Sequence, residues 1–239
     1  MAHWPVAILA GGLASRLRPA TNAIPKALLN VAGQPFLVHQ LRLLYSNGFR
    51  KIVLCVGFLG EMIEAAIGDG KRLDLHIDYS FDGPTLLGTG GALRHAIPKL
   101  GEQFLLVYGD SYMPIDYASV VKAFVRSGKP ALMTVFKNEG RWDASNVWFE
   151  EGEICRYHKK ERSPEMRHID YGISVLTKGV FGGFHDNAAF DLADLYLRLV
   201  SEKKMAAYEV KQRFYEIGSA EGLAELDDML RNQTFAVPA

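Results

Sequence analysis

One stretch near the start of the chain decides the fold: Val6-Ala7-Ile8-Leu9-Ala10-Gly11-Gly12, an apolar run that ends in a glycine pair. A short apolar run closed by such a turn is typical of a strand that is buried on both faces. Similar runs recur at 52–56 and 104–108, and segments with helical periodicity lie between them. Strands that alternate with helices predict an α/β fold with a doubly wound, mostly parallel sheet flanked by helices on both faces.

The helices are predicted from their ends as well as from their apolar faces. Pro35 suits the first turn of a helix, and Gly48 suits the position after its last turn. Asp116 is a capping residue, and Gly128 ends the helix that Asp116 begins. The predicted helices span 35–47, 61–67, 116–128, about 192–199 and 219 to about 230, and further strands are predicted at 75–79 and 131–136.

The second half of the chain has a different pattern. Strand-like segments at 146–149, 154–158 and 169–176 are separated by polar turns rather than by helices. They predict a small β-rich section, antiparallel or mixed, grafted onto the parallel sheet. A last strand-like piece is predicted at 214–217. The sequence contains no internal repeat, low-complexity tract or long linker, so we expect one domain over residues 1–239.

Composition narrows the classes of function. Lys and Arg together number 27, as do Asp and Glu, so the formal net charge is 27 − 27 = 0. A neutral chain argues against a generally basic nucleic-acid-binding protein. Two cysteines cannot build a disulfide framework. No apolar run approaches the roughly 20 residues of a membrane span, and the first residues lack the basic start of a signal peptide. We therefore expect a cytoplasmic protein without nucleic-acid or membrane partners.

The loop after the first strand predicts a phosphate-binding site. Gly11 and Gly12 let backbone N–H groups approach an anion, and Ser15 adds a hydroxyl donor. Arg16 and Lys26 supply positive charge for phosphate oxygens. In open α/β sheets, ligands bind at the carboxyl ends of strands, where this loop lies. Two common phosphate loops are excluded, because the chain has no Gly-Lys-Ser/Thr and no GxGxxG with the required spacing here.

The same segment resembles the signature of the sugar-1-phosphate nucleotidylyltransferases, roughly GGxGTRLxPxTxxxPKxxxxV. The matching residues are Gly11, Gly12, Arg16, Leu17, Pro19, Thr21, Pro25, Lys26 and Val31, whereas Ala14 and Ser15 replace the family's glycine and threonine. The resemblance implies a Rossmann-like sheet with a nucleotide-binding part over about 1–136. It also implies a small sugar-binding lobe over about 137–218 and a closing helix over 219–231.

Later motifs follow in the family's order, and the resemblance implies roles for their residues. Arg16, Lys26 and Asp110 are implied to be catalytic, with Arg16 on the triphosphate and Lys26 beside the attacking phosphate. Asp110 and Glu216 are implied ligands of Mg²⁺. The implied nucleotide-binding residues are Leu9, Ala10, Gly11, Gly12, Ser15, Arg16, Gly88, Thr89 and Gly90. The implied sugar-phosphate-binding residues are Lys26, Lys160, Asp170 and Gly172.

The function that the resemblance implies is transfer of a nucleotidyl group from an NTP to a sugar 1-phosphate, which yields an NDP-sugar and pyrophosphate. Guanylyl transfer to heptose or mannose 1-phosphate, in bacterial glycan synthesis, is the first hypothesis. Uridylyl or cytidylyl transfer, and a non-sugar acceptor such as phosphocholine, stay open. Ala14, Lys159 and Glu216 depart from the family's pattern, so an inactive nucleotide-binding regulatory protein stays open too.

Some of the implied site residues have a purely structural interpretation. Lys160 belongs to a basic turn that is compatible with simple solvation, and Asp170 fits an ordinary turn. Trp142 and Trp148 fit a core as well as the interface of a homodimer.

Overall fold

The computed structural model describes residues 4–12, 24–186 and 188–233. Its strands are β1 (Val6–Leu9), β2 (Asn30–Val31), β3 (Gln34–Pro35), β4 (Lys51–Val56), β5 (His76–Phe81), β6 (Gln103–Tyr108), β7 (Ser111–Tyr112), β8 (Ala131–Lys137), β9 (Val147–Glu150), β10 (Glu153–Tyr157), β11 (His168–Thr177), β12 (Met205–Val210) and β13 (Tyr215–Glu216). Its α-helices are α1 (Phe36–Ser46), α2 (Gly60–Ile67), α3 (Gly88–Ala96), α4 (Tyr117–Ser127), α5 (Leu192–Ser201) and α6 (Ala220–Gln233). Short 3-10 turns, the first at Lys26–Leu28, connect some of these elements.

Within the described residues, nine strands form one mixed sheet. β1 pairs in parallel with β4 on one side and with β6 on the other, and β5 extends the parallel part beyond β4. β11 runs antiparallel between β6 and β8, and β12 pairs in parallel with β8. The antiparallel hairpin of β9 and β10 joins the sheet through the start of β11. The predicted doubly wound sheet with a β-rich section is thereby confirmed.

Helices cover both faces of this sheet, with an apolar layer between the sheet and each set of helices. One layer contains residues of α1 and α4, and the other contains residues of α3 and α5. Val6 and Ile8 of β1 belong to the first layer, whereas Ala7 belongs to the second. Because successive side chains of a strand point to opposite faces, β1 must be apolar at every position.

A smaller apolar cluster packs the closing helix against the two short hairpins β2–β3 and β7–β13. Its buried members are Val31, Phe36, Tyr112, Ile217 and Leu226. α6 begins at the predicted cap, because the hydroxyl of Ser219 accepts a hydrogen bond from the Gly222 N–H at 3.0 Å. The cluster therefore holds β13, which carries Glu216, beside β7, which follows Asp110.

The predicted element boundaries agree with the structure to within a few residues, and apart from the two-residue strands β2, β3 and β7 one strand was missed. Asp116 caps α4 by accepting from the Ala118 N–H, and Gly128 follows α4 in a left-handed conformation. The missed strand is β12, which pairs with β8 alone and contains two alanines with weak strand preference. None of the helices that the structure describes is both long and apolar enough to cross a membrane.

Candidate active site

A cleft of about 570 Å³ lies at the carboxyl ends of β1, β4 and β6. At the base of the cleft, the backbone segments that follow these strands lie very close together. A β-carbon at Gly109 would clash with the carbonyl oxygen of Leu9, and one at Gly11 would lie 2.9 Å from the backbone nitrogen of Gly57. Only glycine leaves room for the neighbouring backbone at these two positions. Gly11, which the sequence predicts to bind phosphate, is therefore also needed for backbone packing.

Lys26 and Asp110 form the central ion pair of the cleft. The Lys26 Nζ lies 2.8 Å from the Asp110 Oδ2, and the side chains are 17% and 46% exposed. Lys26 begins the 3-10 turn before β2, and Asp110 follows β6, so two distant segments meet here. A cation and a carboxylate that both line an open cleft are suited to neutralise and position phosphate groups.

The turn that carries Asp110 is held by a buried amide from α1. The Gln40 Nε2 donates to the backbone oxygens of Tyr108 and Ser111, at 2.8 Å and 2.9 Å. Gln40 itself is only 1% exposed. The backbone oxygen of Asp110 accepts from the Ile217 N–H at 3.0 Å. These bonds fix the backbone on both sides of the carboxylate.

Glu216 lies next to this turn in the β7–β13 pair, where it is the partner of Ser111. Both Asp110 and Glu216 line the cleft. Within the described segments, no group of three or more His, Cys, Asp or Glu side chains forms a ready-made metal site. Two carboxylates nevertheless fit Mg²⁺, because this ion usually takes one or two protein carboxylates and completes its octahedron with phosphate oxygens and water.

The glycine-rich segment at the start of α3 divides into two parts. Gly88 and Thr89 line the cleft, as the nucleotide-binding assignment requires. Gly90 is buried instead, and its N–H donates to the backbone oxygen of Phe190 at 3.0 Å. A β-carbon at Gly90 would overlap the ring of Phe190. The glycine at this position is thus explained by packing against the segment before α5.

Asp170 also lines the cleft, at an irregularity of β11 where the register with β8 shifts. Gly172 provides this bend with a φ of +96°, and its N–H donates to the Asp170 Oδ1 at 3.0 Å. The Asp170 Oδ2 accepts from the Tyr108 hydroxyl at 2.7 Å. Burial raises the pKa of Asp170 to about 6, against the effect of these hydrogen bonds.

The two adjacent lysines after β10 lie in different environments. Lys159 lines the cleft, and its Nζ lies 2.5 Å from the Asp191 Oδ2. Lys160 is exposed and is not among the lining residues, and its backbone N–H donates to the His158 Nδ1 at 3.2 Å. The family resemblance implies that Lys160 binds the sugar phosphate, whereas in the structure Lys159 is the one of the two that lines the cleft.

Several acidic and amide residues of the cleft were not predicted as site residues: Asp82, Asp143, Asn146 and Asp191. Asp82 follows β5 and accepts from the Leu87 N–H at 3.1 Å, and burial raises its pKa. Asn146 accepts from the Asp170 N–H at 2.9 Å. A signal existed for Asp82, which comes three residues after the strand predicted at 75–79, at the carboxyl edge of the sheet. Asp191 precedes a helix, so its sequence pattern indicated only a cap.

The thiol of Cys55 also lines the cleft, but burial raises its pKa to about 12. It is therefore a protonated structural thiol at neutral pH rather than a nucleophile.

The predicted residues Ser15 and Arg16 lie outside the described residues, as do Ala14 and Arg18. Of the predicted site residues that are described, the cleft is lined by Leu9, Ala10, Gly11, Gly12, Lys26, Gly88, Thr89, Asp110, Asp170 and Glu216. The described predicted residues that do not line the cleft are Gly90, Lys160 and Gly172. Gly172 nevertheless contacts the site, because its N–H donates to the Asp170 carboxylate.

Comparison with known sequences places this geometry in context. The model of the family described as nucleotidyl transferase matches residues 6–232 of the chain. The N-acetylmuramate alpha-1-phosphate uridylyltransferase of Neisseria meningitidis serogroup B is 42% identical over 113 residues, which cover 47% of this chain and 49% of that protein. The mannose-1-phosphate guanylyltransferase of Mycobacterium tuberculosis is 31% identical over 176 residues, which cover 72% of this chain and 48% of that protein.

The alignments with these two proteins thus span about half of each relative's length. A solved structure, the inositol-1-phosphate CTP transferase from T. maritima, shares the fold with a TM-score of 0.79 and 21% identity. The superposition covers 100% of this chain and 99% of that one.

Proposed function

Because this chain belongs to the nucleotidyl transferase family, we propose that it transfers a nucleotidyl group from an NTP to a sugar 1-phosphate and releases pyrophosphate. The observation that carries the proposal is the cleft itself. Its lining contains both the Lys26–Asp110 pair, at the carboxyl edge of the parallel strands, and Asp170, at the irregularity of β11. Groups that suit phosphate and a carboxylate that can accept hydrogen bonds from hydroxyls therefore line the same cleft, which suits two substrates of this kind.

In the proposed reaction, an oxygen of the sugar phosphate attacks the α-phosphorus of the NTP in line. A new P–O bond forms while the bond to the pyrophosphate oxygen breaks. The attacking phosphate is already ionised at pH 7, so no general base is required. Catalysis then depends on positioning and charge neutralisation. Lys26 would lie between the two reacting phosphates and reduce their repulsion, and Arg16 would hold the triphosphate.

Asp110 and Glu216 would hold Mg²⁺. When bound, this ion neutralises phosphate charge and orients the phosphate oxygens. The charges of the described residues that line the cleft are consistent with Mg²⁺ binding. The acidic ones are Asp82, Asp110, Asp143, Asp170, Asp191 and Glu216, and the lysines are Lys26 and Lys159. Both lysines are already paired with a carboxylate. Mg²⁺ would add its positive charge to that of Arg16 when a triphosphate binds among these carboxylates.

The acceptor side would bind the sugar through Asp170 and the neighbouring Asn146. The Asp170 carboxylate can accept hydrogen bonds from sugar hydroxyls, and Gly172 and Tyr108 hold it in place. Asn146 also lines the cleft, and its Oδ1 accepts a hydrogen bond from the Asp170 N–H. The fixed orientation of these groups supports selection among sugars by their hydroxyl pattern.

For the base and the sugar we propose guanylyl transfer to mannose or heptose 1-phosphate. The similarity to a mannose-1-phosphate guanylyltransferase over 72% of the chain supports this choice. Uridylyl transfer is the second candidate, because the stronger but shorter similarity is to an N-acetylmuramate alpha-1-phosphate uridylyltransferase.

The test is pyrophosphate release with Mg²⁺, each of GTP, UTP, CTP and dTTP, and a panel of sugar 1-phosphates, with phosphocholine as the non-sugar acceptor. We expect turnover with GTP and mannose or heptose 1-phosphate, and its loss when Mg²⁺ is removed by a chelator. Turnover with UTP alone would replace guanylyl by uridylyl transfer. Nucleotide binding without turnover of any pair would refute the enzymatic proposal in favour of a regulatory protein.

A further inference from the structure

Asp191 connects three segments that border the cleft. Its Oδ2 accepts from the Lys159 Nζ at 2.5 Å, and its Oδ1 accepts from the Thr89 hydroxyl at 3.1 Å. The Oδ1 also accepts from the Ala193 N–H at 3.0 Å, so Asp191 is the cap of α5 as well. Thr89 in turn accepts from the Leu192 N–H at 2.9 Å. One carboxylate thereby ties the turn after β10 to the first residues of both α3 and α5.

The ionisation of Asp191 is consistent with this role. Burial alone would raise the pKa of Asp191, but hydrogen bonds from Lys159 and from the Ala193 N–H outweigh burial and lower it. Asp191 is therefore charged at neutral pH and attracts the ammonium group of Lys159.

Lys159 has donors left for a ligand. An ammonium group carries three N–H donors, of which Asp191 takes one. The side chain of Lys159 is 55% exposed and borders the cleft beside Asp170 and Tyr157. A lysine has a long, flexible side chain, and ordering it costs entropy. A carboxylate that holds it in advance removes part of this cost when an anion binds.

We propose that Asp191 is a positioning residue that holds Lys159 in the acceptor half of the cleft, where Lys159 binds the phosphate of the sugar phosphate. This inference rests on the proposed function. It assigns the acceptor cation to Lys159 rather than to Lys160, because only the former borders the cleft. The shared bond to Thr89 also makes the position of this lysine depend on the start of α3.

Two variants separate this role from a structural one. Lys159→Met removes a charge-assisted hydrogen bond to phosphate, and the KM for the acceptor should rise by about 10- to 100-fold. Asp191→Asn keeps a good helix cap but removes the charge that holds Lys159. Because the ion pair is half-exposed, this change should raise the acceptor KM by only about two- to fivefold. In both variants the KM for the NTP should stay within about twofold of the parent value.

The double variant makes the test sharper. If Asp191 acts through Lys159, the Asn substitution should have no further effect on the acceptor KM once Lys159 is Met. Asp116→Asn is the matched control, because Asp116 caps α4 in the same way and lines no part of the cleft. Lys178→Met is the control for lysine removal, since Lys178 lies at the other end of β11 and pairs with Glu102. Both controls should retain parent kinetics.

The experiment measures initial rates with GTP, mannose 1-phosphate and Mg²⁺, or with the pair that proves active, and thermal unfolding shows whether each variant is folded. Calorimetric titration of the acceptor into each protein gives a second readout. Turnover by the parent protein tests the proposed function, and the ratios among variants test the inference. A rise in acceptor KM for Lys160→Met but not for Lys159→Met would overturn it, as would additive effects in the double variant. Failure of the parent protein to bind any sugar 1-phosphate would overturn both.

Discussion

Replacement of Gln40 by methionine tests how the carboxylate of Asp110 is positioned. Gln40 is buried in α1, and its amide nitrogen donates to the backbone oxygens of Tyr108 and Ser111, which flank Asp110. Methionine has a similar volume but cannot donate, so Gln40→Met removes both bonds without leaving a large cavity.

The expected loss of stability follows from these two bonds. Each neutral hydrogen bond contributes about 1 kcal/mol net, so the free energy of unfolding should fall by about 2 kcal/mol. The Gln40 Oε1 is buried without a partner in the described part of the chain, and its removal offsets a fraction of this loss. For a chain of this size, about 2 kcal/mol corresponds to a decrease in Tm of about 4–8 °C.

The assay combines thermal unfolding with the Mg²⁺ dependence of pyrophosphate release. Loosening of the turn should raise the Mg²⁺ concentration for half-maximal rate by about 10-fold, as expected for a residue that supports a metal ligand. Ser46→Ala is the control on the same helix, because its exposed hydroxyl donates to the Leu43 oxygen within α1 and does not line the cleft. A Gln40→Met protein with unchanged Tm and unchanged Mg²⁺ dependence would refute the reasoning.

Three further changes give distinct readouts. Gly90→Ala should lower the free energy of unfolding by about 1–3 kcal/mol in urea titrations, because the new methyl group overlaps the ring of Phe190. A variant as stable as the parent protein would show that the start of α3 and the segment before α5 move apart at little cost. Burial raises the pKa of Asp170 from 3.8 to about 6, so the native state binds its proton more tightly than the unfolded state. The free energy of unfolding should therefore fall as the pH rises from about 4 to about 6, and Asp170→Asn should lack this part of the decline in urea titrations across that range. The Arg213 guanidinium lies 3.6 Å from the ring centre of Trp142 and makes two hydrogen bonds to the Glu225 carboxylate. Arg213→Met should therefore lower the free energy of unfolding by about 0.5–2 kcal/mol in urea titrations, and parent stability would contradict this expectation.

Much of the fold is predictable because it depends on local patterns. The apolar run of β1 and the glycines after it indicate a buried strand and a tight turn wherever they occur in a chain. The cap at Asp116 and the left-handed stop at Gly128 are likewise properties of a few adjacent residues. β12 was missed since its six residues, Met205–Val210, form a strand only through pairing with β8.

The candidate site was predictable where a motif and a strand end coincide. Lys26 and Asp110 are 84 positions apart, yet both follow from the rule that ligands bind at the carboxyl edge of a parallel sheet. The same rule does not predict the burial of Gly90, because Gly90 packs against Phe190, which is 100 positions away in the chain. A glycine-rich pattern alone cannot distinguish room for a ligand from room for an aromatic ring.

The sequence by itself determined the order of the helices and of most strands, and the family resemblance, because each depends on residue types at short spacing. It also predicts the phosphate loop on the same basis. Only the tertiary structure decided which of the adjacent Lys159 and Lys160 borders the cleft, since the direction of a side chain in a turn is set by its surroundings. It also revealed Asp191, which lies 102 positions from Thr89 and 32 from Lys159. Such a three-way contact exists only once packing has brought the segments together.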